Sequence, residues 1–475
     1  MKVKQPKLYE IVIVFLIFLL MMSLSVAVFD ISFQIPLFAS WFLLIGFGLK
    51  LGYTYKELED SIYTGIAKGF AGVLILLSVG ALIGTWIAGG IVPSLVYYGL
   101  EIISPSVFLV VAMIVCAITS LSTGTSFGTI GTTGIAMMGV GASFGIPLPL
   151  VAGAIISGAY VGDKLSPLSD TTVMTASMSH VDVIEHVKGM LPVGLPSFII
   201  TAIIFAIVGL FYVDQSADLT LAESAAADLQ SAFSIHWYNL IPLIVTLLLL
   251  ALRYSPIPVI AFGALLGVLW GIFFQGLNAI TAIESVYGGN VMESNSEFLN
   301  ELLNTGGIES MLGVIALVIL SLGLGGLLDQ LGILRYIANS FDKWVKNSNG
   351  KLTFATMFTA FLGNMFGSSA YVGVIAGSTT TAKLYDDRGI DRRVLSRNSE
   401  GGGTISNPMI PWTDAGVFIA TTLGIPTLSY LPFMFYNFVG IIVTFVFGYM
   451  SWFFWYTKKA ESNVYNNVRQ EEADV

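Results

Sequence analysis

The sequence predicts an all-α polytopic membrane protein made of two inverted-topology repeats with re-entrant hairpins and discontinuous helices. Three observations carry that prediction: an apolar composition, a charged and proline-containing interruption inside it, and a set of glycine and proline landmarks that recurs once. Of 475 residues, 55% are hydrophobic and 11% charged, where a soluble chain carries about 25% charged residues. The mean hydropathy of +0.82 agrees. The 50 glycines permit close helix approach and local unwinding, which suits a packed, moving bundle better than a lone anchor. The single cysteine, Cys116 in an apolar run, excludes a disulfide framework and a cysteine metal cluster. It reads as a small buried hydrophobe.

Apolar runs fall near 10–29, 36–53, 69–91, 106–122, 128–142, 147–178, 193–213, 237–252, 257–276, 310–330, 352–366, 369–383, 398–424 and 430–457. Several are short of the ~20 residues a full crossing needs. The pairs 106–142 and 352–383 therefore read as re-entrant hairpins, with small polar tips at 124–129 and 363–371. The first run exceeds the roughly 7–15 apolar residues of a signal peptide, so it is expected to be a retained span with its N-terminus in the cytoplasm. Lys and Arg placement then sets the orientation. Every Lys and Arg except Lys164 lies in or beside a predicted cytoplasmic segment, including 335–351, 383–397 and Lys458 with Lys459. Loops 92–105, 214–236 and 277–309 carry none, and Glu284, Glu293, Glu297, Glu301 and Glu309 are expected outside. Both termini are then cytoplasmic. The net charge of −9 is segregated by loop and says little about partners; no nucleic-acid partner is expected.

The repeat decides the architecture. LLSVGALIG around Gly80 matches ILSLGLGGL around Gly323. From Gly80, the landmarks Gly124, Pro167 and Pro192 follow at steps of 44, 43 and 25; from Gly323, Gly367, Pro408 and Pro432 follow at 44, 41 and 24. Loop 92–105 is predicted outside and its counterpart 335–351 inside, so the copies point in opposite directions. The expected organisation is two spans with an amphipathic linker (1–67), a first repeat (68–213), acidic outer loops around a connecting helix pair (214–309), a second repeat (310–457) and a cytoplasmic tail (458–475).

The interruption is Gly162 to Thr172, GDKLSPLSDTT, between AGAIISGAYV and VMTASM. A charge at bilayer depth costs roughly 2.5–3.5 kcal/mol on insertion scales, and backbone freed by a proline needs new partners. Both are tolerated where a helix breaks to line a polar cavity, so Asp163 to Asp170 reads as half of an ion site. The repeat sets EGGGTISNPMIPWTD, Glu400 to Asp414, opposite it. Each half then contributes a hairpin tip and a broken helix near the bilayer midplane. Na⁺ is expected at Asp163 and Asp170, with Asp414, Glu400 and Lys164 as further ion-binding or proton-coupling groups. Ser126, Ser166, Ser169, Thr171, Asn364, Ser368, Ser369 and Asn407 are the expected supporting oxygen ligands. Oxygen donors suit hard cations, and no His or Cys is expected at that depth. Desolvation and a neighbouring carboxylate favour the protonated form of a carboxyl group, so proton and Na⁺ compete for the same oxygens. Lys164 either neutralises the empty site, releases a proton as the cation binds, or forms a salt bridge that lets Asp163 be buried. Asp163 and Asp170 also have a structural reading, as caps that hold the break. Glu400 follows an Arg-rich loop and has the cytoplasmic surface as its alternative place. His180 and His186 are expected in solvent at the inner end of the broken helix, with a pH sensor as the alternative reading. Asp329 reads as an interfacial charge, and Trp412 as packing or an interface marker.

These motifs resemble the NhaC family of Na⁺/H⁺ antiporters, which includes malate/lactate-coupled Na⁺/H⁺ antiporters, within the ion transporter superfamily. The resembling stretches are GTW at 84–86, GTSFGTIGTTG at 124–134, AGAIISGAYVGDKLSPLSDTT at 152–172, EH at 185–186 and EGGGTISNPMIPWTDAG at 400–416. The resemblance implies a prokaryotic-type antiporter of the cytoplasmic membrane. The superfamily implies a scaffold and a mobile transport domain, often dimeric, with an elevator-like movement. The expected activity is exchange of Na⁺ for H⁺ by alternating access, with both ions as cargo, membrane lipid as surroundings and no cofactor. The alternative is antiport of malate and lactate coupled to the same ions. A dicarboxylate wants Arg, Lys or exposed helix N-termini, and only Lys164 is deep, which favours the inorganic cation; the broken-helix N-termini leave the carboxylate open. An intramembrane enzyme would need a nucleophile with its base, and no deep His or Cys accompanies the serines. A passive channel fits poorly with charged breaks in both halves.

Overall fold

Backbone groups in hydrocarbon must be satisfied within their own segment, and this apolar chain is helical almost throughout. The computed structural model describes residues 4–29, 31–213, 219–252, 254–291, 303–304, 306–333, 336, 341–345 and 348–457. Glu293, Glu297, Glu301, Arg335 and the tail from Lys458 onward lie outside the described residues. In chain order the helices are α1 (Leu8–Ala27), α2 (Gln34–Leu51), α3 (Tyr55–Ala88), α4 (Ile91–Ile102), α5 (Pro105–Thr123), α6 (Ile135–Ser143), α7 (Leu148–Leu165), α8 (Asp170–Ser179), α9 (Val183–Val208), α10 (Leu219–Ala232), α11 (Ile241–Ala251), α12 (Pro256–Phe274), α13 (Ala279–Gly288), α14 (Gly307–Gln330), α15 (Asn349–Gly367), α16 (Ala370–Asp386), α17 (Arg392–Gly402), α18 (Asp414–Leu423) and α19 (Phe435–Met450). Among the described residues, seven helices are long and apolar enough to cross a bilayer alone, or ten spans if each bent pair counts as one.

The amphipathic linker before residue 68 is continuous with the first repeat. Thr54 Oγ1 accepts from Glu57 N at 3.3 Å while Glu57 Oε2 accepts from Thr54 N at 2.7 Å. This reciprocal cap starts a helix of 34 residues, α3. Small residues let α3 lie directly on α14. A Cβ on Gly65 would sit 2.8 Å from Gly326 Cα, and one on Gly80 would sit 2.7 Å from Gly307 O. The start of α3 therefore meets the end of α14 and the reverse, so the two run antiparallel. Since these helices carry the Gly80 and Gly323 landmarks, the inversion expected from loop charge is visible in the packing.

The same series of elements then occurs twice. α5 ends at Gly124 (φ 71) and α15 at Ser368 (φ 52), both left-handed, a conformation free for glycine and costly for serine. α7 ends at Leu165, just past Asp163, and α17 at Gly402, just past Glu400. The half-helices that follow, α8 and α18, are 10 residues each, begin on Asp170 and Asp414, and stop at left-handed His180 (φ 56) and Gly424 (φ 71). Pro167 and Pro408 occupy the two gaps, where a missing N–H ends helical hydrogen bonding.

The hairpins differ. α15 and α16 pack along each other as expected, whereas α5 packs chiefly along α7 and α6 lies on α4. The expected close hairpin at 106–142 is thus splayed, because Gly158 and Gly162 let the α7 backbone press on Met113 and Ser120 of α5.

Candidate functional site

A cavity of about 50 Å³ lies where both tips meet both breaks, walled on its far side by Leu76 of α3 and Leu322 of α14. That is room for a few waters or a partly hydrated small ion. Asp163, Asp170 and Asp414 line it with Ser126, Thr171, Ser369 and Asn407, and no Lys, Arg or His is among the lining residues. Asp163 and Asp414 are buried, whereas Asp170 is exposed.

Each carboxylate is held by a different device. Asp163 accepts from Ser126 N at 2.9 Å and from the Ser126 hydroxyl, which ties the first tip to the first break. Asp414 mirrors it: Ser369 Oγ donates to Oδ2 at 2.8 Å and Asn407 Nδ2 to Oδ1 at 2.7 Å. Asp170 crosses between halves, accepting from the Tyr371 hydroxyl. At the starts of α8 and α18 the backbone N–H groups of Thr171 and Ala415 each donate to the preceding aspartate at 2.8 Å. The positive end of a helix stabilises such a carboxylate while no cation is present. An ionised carboxylate has about four lone-pair sites, so these bonds leave capacity for an ion. Asn407 Oδ1, buried at the cavity, accepts no hydrogen bond, and a cation would satisfy it. Among the described residues no three His, Cys, Asp or Glu side chains gather closely enough to hold a metal by themselves. An occupant must therefore use hydroxyl and amide oxygens as well, which suits a loosely held hard cation.

Several expected ligands are elsewhere. Ser166 donates to Leu121 O at 2.9 Å. Asn364 donates to Gly403 O at 2.8 Å and Ser406 Oγ at 3.0 Å. The Ser368 carbonyl accepts from Asp414 N at 2.9 Å. Backbone freed at the breaks takes these groups, so they hold the interruptions and do not line the cavity. Ser169 stands behind it, 3.0 Å from Thr171 Oγ1 and 3.5 Å from Asp163 Oδ1.

Glu400 and Lys164 also lie outside the cavity, in a second, closed cluster. Glu400 is fully buried rather than at the cytoplasmic surface. It accepts from the Thr175 hydroxyl and lies 3.8 Å from His186 Nε2. Lys164 is fully buried; its Nζ has no hydrogen-bond partner and sits 5.6 Å from the Tyr436 ring centre. The salt bridge to Asp163 does not form. His186, expected in solvent, is fully buried, while His180 is exposed as expected. Trp412 packs, its Nε1 donating to Met365 O at 2.7 Å.

Sequence reasoning passed over Tyr371, Tyr160 and Thr404, which all line the cavity. Only Tyr371 carried a signal, as the polar aromatic ending the second tip. His186 also had one: it shares a helical stripe with Met190, Val193 and Ser197, all buried, while Glu185 and Lys188 occupy other faces and Asp182 caps the helix.

A family model described as the Na⁺/H⁺ antiporter family matches residues 4–210 and 158–452. The chain is 50% identical over 470 residues to a malate-2H⁺/Na⁺-lactate antiporter of Bacillus subtilis strain 168, covering 99% of each chain. It is 36% identical over 428 residues to the Na⁺/H⁺ antiporter NhaC of Alkalihalophilus pseudofirmus, covering 90% of this chain and 92% of that one. It is 35% identical over 403 residues to the arginine/ornithine antiporter ArcD of Halobacterium salinarum, covering 84% and 83%.

Proposed function

This chain belongs to the Na⁺/H⁺ antiporter family, and from that premise we propose that it exchanges Na⁺ for H⁺ across the cytoplasmic membrane by alternating access. The two ions compete for Asp163, Asp170 and Asp414. What supports this most is the lining of one small cavity: three carboxylates with hydroxyl and amide oxygens, and no basic side chain. Deprotonated, the set attracts a hard cation; protonated, it releases one. Glu400, with Lys164 and His186 beside it, is a second buried group able to hold a proton away from the cation. Na⁺ and H⁺ are cargo, and the exchange calls for no resident cofactor. We further propose cytoplasmic termini, a division at residues 68–213 and 310–457 into inverted repeats, and pairing of two copies in the membrane.

A second reading, coupling to malate or lactate, is favoured by the 50% identity to the Bacillus relative. Against it, a dianion in this cavity would meet three acidic groups, and the deep ammonium of Lys164 lies outside. The test is Na⁺-driven pH change in inverted membrane vesicles, with and without the two acids. Proton movement on Na⁺ alone supports the first reading, and a strict requirement for either acid supports the second.

A further inference from the structure

Resting on the cation-exchange reading, we propose that the ion reaches Asp170 from the face carrying Glu57, Asp60 and Asp329, along a crevice between the α3–α14 pair and α16. Tyr371 is the positioning residue that closes the inner end of this crevice.

Three cavities stand in line. The mouth, about 260 Å³, lies between the start of α3 and the end of α14 and is bordered by those three acids. The next, about 60 Å³, shares Gly65, Gly326 and Asp329 with the mouth and continues along Ile375 and Thr379 of α16. It shares Leu322 and Tyr371 with the cavity of Asp163, Asp170 and Asp414. The last two cavities therefore adjoin at Leu322 and Tyr371, and the Tyr371 hydroxyl donates to Asp170. That Asp170 is exposed while Asp163 and Asp414 are buried follows from an approach on its side.

At the other end of α3 the helices pack tightly, and a separate cavity of about 520 Å³ is bordered there by Ala88, Ser285 and Gly289. A Cβ on Gly84 would meet Ser285 O and would sit 2.7 Å from Gly307 N, so the backbones of α13 and α14 close on it. Fully buried Trp86 donates to Gly263 O at 2.9 Å in the same region. That cavity shares no lining residue with the cavity of the three aspartates, and a site approached from one end is one of the two states that alternating access requires. The open end is the one that Lys and Arg placement predicts to be cytoplasmic. Acidic groups at a narrow mouth raise the local concentration of cations. Hydrogen bonds from the Thr54 backbone and hydroxyl hold the Glu57 carboxyl below its ordinary range, which keeps it charged. The crevice fits a small hard cation.

The experiment uses the full chain with Cys116→Ser, which removes the single native thiol, and adds Ile375→Cys or Thr379→Cys. A membrane-impermeant, positively charged thiol reagent is applied to inside-out and right-side-out vesicles. Labelling from the cytoplasmic side, slowed by saturating Na⁺ and followed by loss of Na⁺-driven proton flux, is expected. Labelling from the outer side alone, or full flux after complete labelling, would overturn the route. Tyr371→Ala is expected to speed labelling of Ala370→Cys, in the cavity wall, several-fold; an unchanged rate removes Tyr371 from its role. Tyr371→Phe keeps the ring and should leave that labelling slow, while shifting half-maximal Na⁺ roughly tenfold, as loss of one hydrogen bond to a charged group does. A wild-type protein without Na⁺-driven flux would sink the exchange reading and the route with it, whereas flux that survives labelling sinks the route alone.

Discussion

At the scale of single residues, the account rests on carboxylates that cannot be replaced by amides of the same shape. Asp163→Asn and Asp170→Asn each keep volume and one acceptor oxygen, turn the other oxygen into a donor, and lose the charge that attracts a cation. Each is expected to abolish Na⁺-driven proton flux while the protein still inserts, as read by vesicle assay and membrane immunoblot; full activity in both would remove them from the mechanism. The Lys164–Glu400 cluster makes a different prediction. Lys164 and Glu400 are both fully buried and make no direct bond to each other, so each acts on the other only through space. Lys164→Met and Glu400→Gln should each lower thermal stability in detergent, and the double variant should lose less than the sum, with a coupling of about 0.5–3 kcal/mol. Strict additivity would show that the two do not interact. Asp163, Asp170 and Asp414 were legible because charge inside an apolar run needs a reason. Their partners were less so: the bond from Tyr371 to Asp170 spans 201 positions, and no local pattern announces it. Glu400 was legible as a carboxylate but not as a buried one, since the arginines just before it mimic a surface.

At the scale of elements, the two tips turn on one left-handed residue each. In Gly124→Ala the left-handed backbone costs about 1–2 kcal/mol. Its Cβ would also lie 2.7 Å from the Leu168 carbonyl carbon, inside the first break, so melting temperature and transport should both fall. Ser368→Gly relieves the same conformation and gives up no side-chain bond, because Ser368 Oγ has no partner. It should raise stability by up to about 1 kcal/mol. Opposite shifts in thermal unfolding check the pair, and a stable Gly124→Ala would refute the geometry. The breaks were readable from Pro167 and Pro408, since a proline between charges cannot continue a membrane helix. The first turns of α3 were not, because YKELEDSIYTG is too polar for a hydropathy window although Thr54 and Glu57 cap it. The splay of the first hairpin was also hidden, as it depends on which helix Gly158 and Gly162 press against.

At the scale of the whole molecule, the inverted repeat was legible because opposite loop charge and matched spacing are global properties of a sequence. The line of cavities was not, because it exists only once α3, α14 and α16 are packed. If proton and Na⁺ compete for one set of oxygens, half-maximal Na⁺ should rise as pH falls, by up to about tenfold per pH unit for each proton displaced. An Na⁺ requirement flat from about pH 6.5 to 8.5 would mean the ions do not share a site. The most direct measurement is proton flux on adding Na⁺ to proteoliposomes of the purified protein, with no organic acid present. Flux on Na⁺ alone, abolished by Asp163→Asn, is the predicted result; flux that awaits malate or lactate, or that Asp163→Asn leaves intact, would contradict it.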